Sequence, residues 1–151
     1  MTMRKIAGLF VAALLVVAAL PASAGEQKKS GDSAASAAKS PQAAVYLAWV
    51  KAVKARDFEA WKKVVPTEAP KEFEAQAKEM GKKPAEMLEL LGMMTPDENK
   101  ITGLKVDSGA AVLSVTGKTK GEPGTSYGTV NMVLESGTWR VGKQSWQVKE
   151  K

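Results

Sequence analysis

Asp57, Tyr46 and Tyr127 are the side chains of this sequence best suited to acid–base chemistry. A carboxylate in a dry pocket gains basicity, and a phenol can donate a hydrogen bond to a developing oxyanion. Together they could supply a proton transfer, with Asp57 as base and a Tyr as donor. Their placement argues against it. Asp57 follows Arg56 at the start of a helical stretch, where a capping carboxylate accepts backbone N–H bonds and loses basicity. Neither tyrosine is spaced to lie beside it. The chain also has no His and no Cys. That removes the commonest general base, every Ser-His or Cys-His pair, and the ligands of ordinary structural zinc sites. No catalytic residue is therefore assigned, and the enzyme reading stands only as an alternative.

Beyond Met1 and Met3, the methionines are Met80, Met87, Met93, Met94 and Met132. Thioethers can hold soft copper(I), but without His or Cys beside them core filling is the expected role. Glu86, Glu89, Asp97 and Glu98 do not reproduce a calcium-loop spacing. No metal and no cofactor is expected. Trp49, Trp61, Trp139 and Trp146 are many tryptophans for a small chain. With Tyr46 and Met132, Trp49 and Trp61 are the candidates to line an apolar ligand pocket. Filling the core is the competing role for aromatics at periodic positions. Trp146 lies on the opposite alternation phase from Trp139 and Val141. It faces outward as a partner-surface candidate, unless a bulge near Gly142 tucks it under.

The elements that must position these residues follow from hydrophobic period and punctuation. Arg4-Lys5, the uncharged apolar run Ile6 to Leu20, Pro21, and Ala22-Ser23-Ala24 form a secretory signal, expected to occupy residues 1–24 and to be cleaved after Ala24. No Cys follows the site, so the product is not a lipoprotein and keeps no membrane anchor. A periplasmic or secreted location follows. Residues 25–39, rich in Gly, Ser, Ala and Lys, are expected to be a flexible linker, with the folded domain at 40–151. Ser40-Pro41 starts a helix with Val45, Trp49, Ala52 and Val53 on one stripe. Asp57 caps a second helix over Phe58 to Val64. A third opens at Pro70 and ends at Gly81, and a fourth runs from Pro84 toward Pro96. Alternation then takes over in four runs: Ile101 to Val106, Ala110 to Lys118, Ser126 to Glu135, and Thr138 to Trp146. Ser136-Gly137 makes a tight hairpin between the last two. In the third run, Val130, Met132 and Leu134 are expected to face inward. The fold class is α+β, with N-terminal helices packed on a curled four-stranded antiparallel sheet.

This order resembles the cystatin-like α+β roll of the nuclear transport factor two-like superfamily, and within it an exported bacterial lumazine-binding-like family of unknown function. Three stretches carry the resemblance: Val45 to Asp57 with Ala60, the strand–turn–strand Val106 to Gly117, and the hairpin Val130 to Trp146 with Gly137-Thr138-Trp139-Arg140-Val141. Arg56 departs from the family, which often has Gly there. The resemblance implies a cone-shaped cavity between helices and sheet, and homodimers formed through the sheet face. That frame hosts enzymes, binding modules and interaction domains alike. Its isomerases use an Asp base helped by a Tyr, so the resemblance implies an isomerase- or hydratase-like enzyme using Asp57 and a Tyr as the alternative. Function has to be argued from the site.

Charge narrows the partners. The chain of 151 residues carries +6, and +4 once Arg4 and Lys5 are removed with the signal. Its lysines are spread out, with Lys28-Lys29, Lys62-Lys63 and Lys82-Lys83 as the pairs, and no basic stripe interleaves with aromatics. Nucleic acid is not an expected partner. Weak attraction to anionic envelope polymers is compatible with the charge. The expected role is that of an exported, non-catalytic domain binding a small apolar ligand or an envelope partner, with a dimeric interaction module as a further alternative.

Overall fold

The computed structural model describes residues 33–149. The expected signal, residues 1–24, and the first part of the expected linker lie outside them. Five helices precede four strands: α1 (Ala34–Ala38), α2 (Pro41–Lys54), α3 (Phe58–Lys62), α4 (Ala69–Glu79), α5 (Pro84–Met94), β1 (Glu98–Asp107), β2 (Ala110–Lys118), β3 (Thr125–Glu135) and β4 (Thr138–Lys149). The strands form one antiparallel sheet in the order β1-β2-β3-β4. The helices pack on one face of it, which gives the α+β class expected.

The linker expectation fails over residues 33–39. Ser33 caps α1, its Oγ accepting from the Ser36 N–H (3.3 Å), and Ala37 is fully buried against the core. Low side-chain bulk suggested a tether. Alanine is the best helix former, and a methyl group is all that fits where a helix lies close on a strand. Ser40 then serves both sides. Its Oγ–H donates to Ala37 O (2.7 Å), closing α1, and its Oγ accepts from Ala43 N–H (3.1 Å), opening α2.

Helix α2 buries Tyr46, Trp49, Ala52 and Val53 against the sheet. Each large side chain taken fully out of water stabilises the fold by about 1.5–3 kcal/mol. The helix stops in a Schellman turn: Arg56 N–H donates to Val53 O (3.1 Å) and Asp57 N–H to Ala52 O (2.9 Å). That turn needs a left-handed residue, and here it is Arg56, at φ 56°. The same turn ends α4 at Gly81 (φ 66°), where no side chain opposes it. Helix α3 closes at Lys62, two residues before the expected Val64, and Val64 O instead accepts from Val141 N–H on β4 (2.7 Å). This bond ties the helical layer to the sheet edge.

Two irregularities bend the sheet. In β1 an extra residue, Thr102, separates the Ile101↔Val115 and Gly103↔Ser114 pairs. In β4, Met132↔Val141 is followed by Val130↔Gln144, so Gly142 and Lys143 absorb one extra residue. The inner face carries Ile101, Leu104, Ala111, Leu113, Val115, Val130, Met132 and Val141, all buried. Leu134, expected inward, is half exposed because the helical layer does not reach the Ser136-Gly137 end of the sheet. Both residues of that turn have positive φ, as a two-residue hairpin requires. Met80, Met93 and Met94, expected in the core, are exposed, Met94 by 75%. They sit at the free ends of α4 and α5, and only Met87 and Met132 fill the interior.

Candidate functional site

The candidate pocket residues come together as packing. Tyr46, Trp49, Trp61 and Met132 are 0%, 2%, 5% and 1% exposed. Tyr46 and Trp49, three apart on α2, stack at 6.1 Å between ring centroids. Trp61 lies 4.6 Å from the Phe73 ring and 5.6 Å from Phe58, which joins α3 to α4. Burial holds the Tyr46 phenol well above its ordinary pKa. Its O–H donates to Asn99 Oδ1 (3.0 Å), and Asn99 Nδ2 donates to Pro96 O (2.7 Å), so the buried hydroxyl fixes the entry to β1. The Trp61 Nε1 donor is buried and meets no acceptor among the described residues.

Asp57 is the N-cap of α3. Its Oδ1 accepts from Ala60 N–H at 2.9 Å, at the protein surface. Tyr46 is committed to Asn99, and Tyr127 lies on the opposite face of the sheet. The three groups of the enzyme alternative are thus not brought together, and the carboxylate that would have to be a base is holding a helix end.

Trp146 is a correction. The extra residue at Gly142-Lys143 shifts the alternation, so Trp146 returns to the inner face opposite Gly128. There it packs against the core, half buried, with Nε1 enclosed and unpartnered among the described residues. The outward placement expected of Trp146 is therefore replaced by an inward one.

Several polar clusters surround this core. Lys54 Nζ donates to Gly92 O (2.8 Å), Thr95 O (2.6 Å) and Asp97 Oδ1 (3.0 Å), closing the C-terminus of α5. The Lys120 N–H on Asp97 Oδ2 (2.9 Å), then the Lys54 ammonium, hold the Asp97 carboxyl below the usual range. Glu135 is held low by the hydroxyl and then the N–H of Thr67. Among the described residues, no three or more Asp or Glu converge on a metal-sized site. No described helix is long and apolar enough to cross a membrane.

Among the described residues, the main surface concavities are lined by none of Tyr46, Trp49, Trp61 and Met132. A cleft of about 430 Å3 lies between α1, α2 and β1, over Ala34, Ala38, Leu47 and Ile101. One of about 360 Å3 lies beside Lys54, Arg56 and Glu89. Two more are on or beside the outer face of the sheet. A groove of about 1070 Å3 runs past Lys118, Thr125, Tyr127 and Lys149. A depression of about 300 Å3 lies over Ser114, Tyr127, Thr129, Ser145 and Gln147. Sequence reasoning raised Tyr127 only as a catalytic partner. Its strand phase, opposite to Val130 and Met132, was the available sign that it faces outward.

No protein-family model matches this chain, and no curated protein does. Among solved structures it is similar to an NTF-2 like protein of unknown function from Silicibacter pomeroyi, at 16% identity and a TM-score of 0.47, over 71% of this chain and 92% of that one.

Proposed function

We propose that the protein is an exported, non-catalytic binding domain that meets an envelope partner on its surface. The observation behind this is the filled interior. Where a ligand-binding roll would hold a cavity, Tyr46, Trp49, Trp61 and Met132 occupy the space themselves. The capping role of Asp57 removes the main support for an enzyme. Kinship with the exported lumazine-binding-like proteins of the nuclear transport factor two-like superfamily is part of the same proposal. It rests on the sequence patterns of Val106 to Gly117 and Val130 to Trp146.

The second reading, a small apolar ligand, is favoured by the cleft between α1, α2 and β1, whose walls are alanine, Leu47 and Ile101 with Asn99 and Lys100 beside them. Native mass spectrometry of the protein taken from its own host separates the two. The surface-partner reading expects the bare mass of a chain starting at Gly25. A co-purifying small apolar adduct, lost in an Ala38→Trp variant that fills the cleft, would replace it with the second reading.

A further inference from the structure

Resting on that surface-binding reading, we infer that the outer face of the sheet is a docking surface for an acidic polysaccharide. The helices cover the inner face, and on the outer one the segment joining α3 and α4 bonds Glu135 and Arg140 at the hairpin end, leaving the strands beyond them uncovered among the described residues. Strand register puts Lys100 and Lys105 of β1, Lys118 of β2 and Lys149 of β4 on that side, with Lys143 in the β4 bulge. All five are exposed, and none forms an ion pair among the described residues. Glu98 and Asp107 of β1 and Glu135 of β3 share the face by register, and Glu122 lines the groove, so five lysines face four carboxylates and the balance is basic.

Shape adds to charge. Tyr127 lines both the groove of about 1070 Å3 and the depression of about 300 Å3, so the two make one track with an aromatic ring at the junction. Lys149 Nζ stands 5.2 Å from that ring's centroid. Beyond the ring, Ser114, Thr129, Ser145 and Gln147 offer a row of hydroxyl and amide groups. An aromatic platform, neutral hydrogen-bonding groups and flanking ammonium ions suit a sugar chain bearing carboxylates.

The same features weigh against other occupants. A second copy placed face to face would bring two surfaces of the same net charge together. Bidentate readout of phosphates and bases favours arginine forks over lysines. The two arginines of the described chain are engaged elsewhere, Arg56 with Glu89 (2.8 Å) and Arg140 with Lys63 O. A membrane needs a broad continuous apolar patch, whereas the large apolar side chains exposed here are Tyr127 and Val148 at the groove and Val133 further along β3, set among lysines and hydroxyls.

The test uses the full mature chain and polygalacturonate as probe, followed by calorimetric titration at low and at physiological salt. Saturable binding that weakens with salt is expected, with no binding to a neutral glucan. Lys118→Glu, Lys143→Glu and Lys149→Glu together should lower affinity by about tenfold or more and flatten the salt dependence. Tyr127→Ala should weaken it about fivefold and leave the salt dependence unchanged. All four positions are exposed, and matching thermal transitions would establish that the variants are folded. Absence of polygalacturonate binding, equal binding of single-stranded DNA or of anionic vesicles, or full affinity in both variants would overturn the inference. Failure here with a bare native mass leaves the surface-partner reading intact. A small-molecule adduct sinks that reading on its own evidence.

Discussion

Gly128→Ala isolates the contact on which the closing hairpin depends. A Cβ at position 128 would lie 2.6 Å from Trp146 Cε3, 2.7 Å from Cζ3 and 2.8 Å from Cδ2. These are atoms of a rigid fused ring, so relief requires the whole indole to lift or β4 to shift. Trp146 covers the glycine across the strand pair and shields the inner face at the open end of the sheet. Forcing a methyl into such a contact should destabilise the domain by about 1–3 kcal/mol. The sign should invert when the ring is gone. Gly128 has no positive φ, so in a Trp146→Ala background the added methyl restricts the unfolded chain and stabilises by about 0.4–1 kcal/mol. Urea denaturation of the four proteins of this cycle gives both numbers, and intrinsic fluorescence reports whether Trp146 becomes solvated. A Gly128→Ala cost below about 0.5 kcal/mol, or one that persists without Trp146, would refute the placement of Trp146 on the inner face.

Further expectations follow from single features. Arg56→Gly removes a left-handed strain of about 1–2 kcal/mol and sacrifices the exposed pair with Glu89, worth about 0–1 kcal/mol. Net stabilisation is expected in thermal unfolding, and a loss would mean that the Arg56 side chain matters more than its backbone. Asp57→Ala should cost about 1 kcal/mol as a lost cap, while Asp57→Asn, which still accepts from Ala60 N–H, should be close to neutral. Equal losses in both would contradict capping as its role. For pH, the Asp97 and Glu135 carboxyls are depressed in the folded state. Their stabilisation is present above the ordinary carboxylate value and is lost as pH falls through the folded values. Tyr46 is raised, so its contribution is present below about pH 10 and is lost as pH rises beyond that. A stability profile flat between these limits and falling at both ends is expected. In Glu135→Gln the acid arm should be shallower, and a profile identical to wild type there would refute the Thr67–Glu135 assignment.

The helix starts and the last hairpin were legible because each is written in local chemistry. Ser40-Pro41, Asp57 and Ser136-Gly137 state their own geometry, and Ser40, Asp57 and the turn do in the structure what their residue types suggest. Legibility failed where a property depends on what lies opposite. Ala37 carries too little bulk to announce burial, and it is buried because β1 runs close beneath it. Met94 continues the apolar stripe of α5 but extends past the edge of the layer below, and Met93 lies off that stripe. Leu134 keeps the alternation of β3 and lacks a helix above it. Hydrophobic type reports what a residue prefers, and only the partner layer decides whether the preference is met.

The candidate site was less legible than the fold for a related reason. Asp57, Tyr46 and Tyr127 were singled out by side-chain chemistry, yet each had two uses open to it, and the hydrogen-bond partner decides between them. Asp57 finds Ala60 N–H and becomes a cap; Tyr46 finds Asn99 and becomes a buried anchor. Tyr127 alone is left with its ring half exposed and only a lysine over it. Trp146 shows how little separates one outcome from the other. One extra residue at Gly142-Lys143 turns a surface candidate into part of the core, because a shift of one in a strand exchanges the two faces. Deleting Lys143 would remove that shift. It should either expose Trp146 or force a new bulge elsewhere in β4, and red-shifted tryptophan emission with a lower unfolding midpoint is the expected result. An unchanged spectrum and midpoint would mean that the bulge is not what holds Trp146 inside.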